Sequence, residues 1–291
     1  MTQENPSAAE NAREPETAGE PELAAEGASA KEPETPTATA PTTPATPRKP
    51  HWVRRIVITV ALVIVCTVVG FLVWCSCGYR ANAAALEVCA EEATGETVQG
   101  WTTFGDSAAE CGLVFYPGAR VDAEAYAPLL SKLADRGVFC VLVDVPFNLA
   151  VLGIDSADSI QAQFPQVERW YIGGHSLGGA VAAVYLARGD NARDWEGLVL
   201  LAAYSDTDIS QTDLDVLTVV GENDGVTDSA KLAAYAANLP ADARTVVIPG
   251  GNHAQFGSYG TQSSDGEATI SADKQQDETV ELICGLMGIG E

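Results

Sequence analysis

Three kinds of side chain that together carry acyl transfer recur along this chain: a serine between glycines, a carboxylate after an apolar run, and a histidine in a glycine-rich loop. The serine is Ser176, in Gly173-Gly174-His175-Ser176-Leu177-Gly178-Gly179. The apolar run Trp170–Ile172 precedes it, and a helix-forming run opening Ala180-Val181-Ala182-Ala183 follows. G-x-S-x-G between a strand and a helix is the setting in which a sharp turn lifts a serine hydroxyl clear of the backbone. Gly174 and Gly178 must lack side chains where the two elements nearly touch, and the serine itself takes a strained conformation. Ser176 also stands at a helix N-terminus, whose free N–H groups and dipole favour developing negative charge.

A serine hydroxyl is a weak nucleophile until a base takes its proton. The chain has three histidines. His51 precedes a long uncharged run and is expected on the other side of a membrane. His175 adjoins the serine, and the turn should direct its ring away into a packing or hydrogen-bonding role. His253 remains, in Pro249-Gly250-Gly251-Asn252-His253-Ala254-Gln255-Phe256-Gly257, just after the strand-like Thr245–Ile248. The acid that orients it should follow a strand lying between serine and histidine. Val216–Val220 leads into Gly221-Glu222-Asn223-Asp224-Gly225-Val226, so Asp224 is expected to accept a hydrogen bond from His253 and fix its tautomer. Asp206 and Asp208 are the alternative acids; Asp228 reads as the N-cap of a helix at Ser229, and Glu222 stands too close to the strand. Two backbone N–H groups should meet the oxyanion. One is that of Leu177; the other is that of Ala119, in Pro117-Gly118-Ala119-Arg120, where Gly118 permits close approach. Arg120 suits either a surface ion pair or the cleft. Asp144 suits a place on the cleft wall or, better, a loop-capping role.

These residues need a scaffold, and the hydrophobic pattern supplies one. Leu113–Tyr116, Val138–Val143, Trp170–Ile172, Leu198–Ala202, Val216–Val220 and Thr245–Ile248 are short apolar runs rich in β-branched residues, as strands covered on both faces are. Helical patterns alternate with them at Ala123–Asp135, about Ser156–Phe164, Leu177–Arg188, Ser229–Asn238 and Lys274–Met287. Alternation predicts an α/β fold: a doubly wound, mostly parallel sheet with helices on both faces and ligands beyond the carboxyl ends of the strands. Segments near Leu86–Ala90 and Thr97–Phe104 are expected as antiparallel edge strands. Only Tyr204–Asp215 separates two of the strands, polar and too short for a cap domain.

The motifs Phe115–Asp122, Ala125–Pro128, Gly173–Gly179, Gly221–Val226 and Gly250–Gly257 together resemble the α/β-hydrolase superfamily, in particular a small bacterial dienelactone-hydrolase-like branch. The order Ser, Asp, His is that of α/β-hydrolases. The resemblance covers residues 84–291 and implies an α/β-hydrolase fold without a cap. It also implies the catalytic set Ser176, Asp224 and His253. Dienelactone hydrolases carry cysteine at the nucleophile position where this chain has Ser176, which argues against lactone hydrolysis of their kind. The implied activity is cleavage of a carboxylic ester or related acyl bond through an acyl-enzyme, on a small-molecule substrate. Transfer of the acyl group to an alcohol uses the same triad, and a non-catalytic binding ectodomain is the reading from another class.

Residues 56–74 carry no charge and match the roughly 30 Å of a bilayer core at about 1.5 Å per residue. A transmembrane helix is therefore expected over 56–77. Arg48, Lys49, Arg54 and Arg55 precede it and Arg80 alone follows closely, so positive-inside bias predicts a cytoplasmic N-terminus and an extracytoplasmic domain in the cell membrane. A cleaved signal peptide, with Ala81-Asn82-Ala83 as its site, fits less well because the preceding tail is too long. Residues 1–55 form an acidic, Pro- and Thr-rich tail with a basic juxtamembrane end. Up to residue 47 the tail holds one leucine, Leu23, and no aromatic residue, and such a segment is expected to be disordered. The formal net charge of −24 argues against nucleic acid as a partner. No Cys/His cluster has zinc spacing, and no P-loop or dinucleotide motif is present, so neither metal nor cofactor is expected. Cys140 and Cys284 read as buried thiols, and Cys89 with Cys111 as a candidate disulfide.

Overall fold

Apolar β-branched runs flanked by glycine and proline pair side by side here because both of their faces find helices to cover them. The computed structural model of the chain describes residues 51–94 and 100–290. The expected disordered tail lies outside the described residues, apart from its last turn. The chain divides into two units, Met1–Arg54 and Arg55–Glu291, and the second carries the whole sheet.

Seven strands make up that sheet, in the order β1-β3-β2-β4-β5-β6-β7. The strands are β1 (Trp101–Phe104), β2 (Cys111–Tyr116), β3 (Val138–Val143), β4 (Arg169–His175), β5 (Gly197–Leu201), β6 (Asp215–Gly221) and β7 (Arg244–Ile248). All neighbours are parallel except β1, which runs antiparallel to β3 with Trp101 opposite Val143 and Phe104 opposite Cys140. Every residue of β2 and β3 is buried, as the uninterrupted apolar runs predict. Edge strand β7 is exposed along most of its length.

The helices are α1 (His51–Ser76), α2 (Ala83–Glu92), α3 (Ala127–Asp135), α4 (Ile160–Gln163), α5 (Leu177–Leu186), α6 (Ser229–Tyr235) and α7 (Ala272–Met287). Two cores lie on opposite faces of the sheet. One joins Leu129, Leu130 and Leu133 of α3 with Val280, Ile283 and Met287 of α7; the other joins Val181, Ala182 and Leu186 of α5 with Trp170 and Trp195. Several elements are shorter than the pattern predicts. Ala123–Tyr126 is a 3-10 turn leading into α3, and Ala236–Asn238 a 3-10 turn ending α6.

Two expectations are corrected. Leu86–Ala90 is not a strand but the body of α2. Asn82 caps that helix, its Oδ1 accepting the Ala85 N–H at 2.9 Å, and Val88 and Cys89 turn one face onto the α3–α7 core. Cys89 and Cys111 are both free thiols. Cys89 lies near Glu124 of the turn that leads into α3, whereas Cys111 begins β2 near Arg169 and Cys284, and no bond joins the two. Cys140 and Cys284 are buried thiols, as expected.

Helix α1 has a mean hydropathy of 3.1 in its most apolar stretch, none of which is buried by protein. It is long and apolar enough to cross a membrane. Between β5 and β6 the chain makes only turns, and no cap is inserted there.

Candidate active site

The end of β4 runs into α5 through a turn that only glycines permit. A Cβ on Gly174 would stand 2.5 Å from the Tyr116 carbonyl and 2.6 Å from the Gly178 carbonyl carbon, and one on Gly178 would collide with the Tyr116 carbonyl oxygen. Between them Ser176 adopts φ 53°, ψ −120°, a left-side conformation costing about 1–3 kcal/mol for a residue with a side chain. Its N–H is held by Leu201 O of β5 at 2.8 Å, so the surrounding sheet keeps the strain in place.

His253 sits at the end of the loop after β7 and Asp224 in the loop after β6. The fold brings them together: His253 Nδ1 lies 3.0 Å from Asp224 Oδ2, with both side chains nearly inaccessible. Asp224 Oδ1 accepts the backbone N–H of Val226 at 2.8 Å and of Thr227 at 2.7 Å. Oδ2 accepts the Thr227 hydroxyl at 2.7 Å. Burial works against the carboxylate, but the His253 and Thr227 hydrogen bonds outweigh it and hold Asp224 down at about 2. It is therefore ionised across the physiological range. Asp206 borders the same cleft and Asp208 turns back on Ser210, and neither bonds His253. Asp228 caps α6 through the N–H groups of Ala230 and Lys231.

His253 Nε2 is buried and has no hydrogen-bond partner among the described residues. Ser176 and His253 line one open cleft of about 450 Å³, with Tyr204, Val226 and Lys231 on its walls. No hydrogen bond joins the Ser176 and His253 side chains. The Leu177 N–H and the Ala119 N–H are likewise without partners among the described residues. The contacts of Gly178 with Tyr116 and Pro117 carry the loop bearing Ala119 across the start of α5.

His175 is buried behind His253, their rings 4.5 Å apart. Burial, then the neighbouring His253, pushes its pKa well below the usual histidine value, so it is neutral. Tyr126 Oη accepts the Gly118 N–H at 3.0 Å and lies 2.8 Å from His175 Nδ1. Burial raises the phenol's pKa, so it keeps its proton. This chain of bonds ties the Ala119 loop to the turn bearing Ser176.

Two residues of the site escaped the sequence reading. Thr227 clamps Asp224, and its hydroxyl also lies 3.2 Å from His253 Nδ1. The signal was present in Asp224-Gly225-Val226-Thr227, where a carboxylate precedes a hydroxyl at the spacing of a local side-chain turn. Asp265 accepts the N–H groups of Gly225 at 3.1 Å, His253 at 3.2 Å, Ala254 at 2.8 Å and Gly266 at 2.9 Å. It fastens the acid loop to the histidine loop. Nothing local distinguishes this aspartate from others in polar loops. Arg120 does not face the cleft: it stacks on Trp74, 4.4 Å from the ring. Asp144 is exposed, its N–H bonded to Gly100 O.

Residues 112–277 match the family model described as the alpha/beta hydrolase family. The chain belongs to that family. The hydrolase resembles, among solved structures, an esterase from the archaeon Pyrobaculum calidifontis. The two are 16% identical over 71% of this chain and 90% of that one, with a TM-score of 0.53. A CIB-like hydrolase from Thermoplasma acidophilum is 14% identical over 64% of this chain and 91% of its own, with a TM-score of 0.50. At such identities the likeness speaks for the fold. No curated protein sequence matches the chain.

Proposed function

We propose that the hydrolase cleaves carboxylic esters or related acyl bonds through an acyl-enzyme on Ser176, with His253 as base and Asp224 as the orienting acid. The observation that carries this reading is the buried His253–Asp224 pair at 3.0 Å, whose free Nε2 belongs to the residue sharing a cleft with the strained Ser176. His253 Nε2 takes the Ser176 proton as Oγ bonds to the carbonyl carbon. The tetrahedral oxyanion accepts hydrogen bonds from the N–H groups of Leu177 and Ala119. Nε2 then returns the proton to the leaving alcohol as the C–O bond breaks, and water repeats the cycle on the acyl-enzyme. Asp224 stays ionised and stabilises the imidazolium.

A fluorophosphonate probe tests this reading. The full chain in detergent is expected to take up one label, lost in Ser176→Ala and strongly slowed in His253→Ala. Labelling that survives Ser176→Ala would refute it. We further propose that α1 anchors the hydrolase in the cell membrane, N-terminus inside and catalytic domain outside. The uncharged helix and the arginines before it support this topology. Protease added to spheroplasts should degrade the domain, and protection of the domain would reverse the orientation.

A further inference from the structure

The segment leaving α1 is not a free tether. Residues 77–82 lie along the loop that follows β2: Tyr79 N–H donates to Arg120 O at 2.7 Å, and Asp122 N–H to Tyr79 O at 3.0 Å. Arg120 Nη2 donates to Cys77 O at 2.6 Å, and its guanidinium covers the Trp74 ring. Arg80 Nη1 and the Ala81 N–H both bond the Asp122 carboxylate. Gly78 meets the Arg120 carbonyl so closely that a Cβ there would collide with it. These contacts fix the hydrolase domain against the last turns of the helix.

Beside this strap stands Pro146-Phe147-Asn148-Leu149-Ala150-Val151-Leu152, a stretch without charge. Phe147 is 50% exposed, and Val151 and Leu152 are each 52% exposed, whereas Leu149 and Ala150 are buried and root the loop. Phe147 and Asn148 both have left-handed backbones, at φ 57° and 53°. The turn is held by Arg120 N–H on Asn148 O at 2.6 Å and by Asn148 Nδ2 on Asp122 Oδ1 at 3.0 Å. The Phe147 ring meets Phe71 of α1 edge-on, with centroids 5.7 Å apart. Phe71 lies five residues before the end of α1, so at about 1.5 Å per residue the contact is roughly 7–8 Å inside the helix's exit end. That is the depth, about 5–10 Å, at which interfacial apolar groups sit in a bilayer.

We propose that Phe147, Val151 and Leu152 insert into the outer leaflet of the same bilayer that α1 crosses, pressing the catalytic face onto the lipid surface. The occupant follows from continuity: Phe147 meets the apolar surface of α1 near its last turns, and Val151 and Leu152 are exposed in the same uncharged stretch. The strap also passes one residue from Ala119, so the loop bearing that N–H is held at the membrane. Esters presented by lipid-embedded amphiphiles are then the substrate class that reaches the cleft directly. The inference rests on the membrane reading of α1, and its test separates the two.

Benzoylphenylalanine is placed singly at Phe147, Val151, Ile64 and Val247 of the full chain, reconstituted in phosphatidylcholine vesicles and irradiated. Ile64 lies in the middle of α1 and Val247 on the exposed edge strand β7. Lipid adducts at 147 and 151 are expected to approach the yield at 64 and to exceed that at 247 about tenfold. Adducts at 64 with none at 147 or 151 would overturn the inference and leave the span intact. Cross-links from 147 or 151 to a second copy of the chain in place of lipid would also overturn it. No adduct at 64 would remove the span and the inference with it.

Discussion

Replacing Asp224 with asparagine exchanges one oxygen for an amide nitrogen, and the two oxygens have separate duties. Oδ1 receives the N–H groups of Val226 and Thr227, and asparagine's carbonyl can keep both bonds. Oδ2 faces His253 Nδ1 and the Thr227 hydroxyl. An amide nitrogen there donates: the threonine hydroxyl can rotate to accept, but the Nδ1–H of His253 loses its acceptor. The imidazole then settles with its proton on Nε2, where it cannot take one from Ser176. Holding Asp224 at about 2, below its ordinary 3.8, corresponds to about 2 kcal/mol of stability at neutral pH, which bounds the cost to the fold. The cost to turnover is larger, about 10³–10⁴ in kcat, or roughly 4–5 kcal/mol. Hydrolysis of p-nitrophenyl acetate and thermal unfolding of the same Asp224→Asn preparation give both quantities. Turnover within tenfold of the parent enzyme would refute the reasoning, because it would mean that His253 is oriented by something other than this carboxylate.

Asp265→Ala removes the acceptor of four backbone N–H groups, one of them that of His253; it should cost about 1–3 kcal/mol, discounted for partial exposure, and lower kcat while KM changes little. Steady-state kinetics with a melting curve checks this. Gly178→Ala should prevent the turn from closing, because its methyl would collide with the Tyr116 carbonyl; fluorophosphonate labelling of any folded fraction should be absent. The Asp224 contribution to stability should be fully present above about pH 4 and lost as the pH falls through about 2, since the folded carboxylate titrates below the unfolded one. Melting temperatures from pH 7 to pH 2 read it. With no cap between β5 and β6 and an open cleft of about 450 Å³, acetyl and butyryl esters in solution should be cleaved at least as well as long-chain ones. A series of p-nitrophenyl esters in which kcat/KM climbs steadily with chain length would contradict this.

The α/β class, the six parallel strands, the antiparallel edge strand within Thr97–Phe104 and the long apolar helix were legible in the sequence because each is a local pattern. A parallel strand buried on both faces must be apolar at every position, and a membrane helix must be apolar all round. The turn at Ser176 was legible for the same reason: the glycines that a strand-to-helix contact demands lie within five residues of one another. The meeting of Asp224 with His253 was inferred from chain order, but their 3.0 Å separation depends on how β6 and β7 pair. Asp265 could not be ranked from composition, because what distinguishes it is which N–H groups the fold brings to it. Leu86–Ala90 read as a strand because a short apolar run carries no period of its own, and the Asn82 cap and the α3 surface made it a helix. The contact between Phe147 and Phe71 joins residues far apart in the chain. Only the tertiary structure could decide it, since local pattern reports a segment's own faces and not what another segment lays against them.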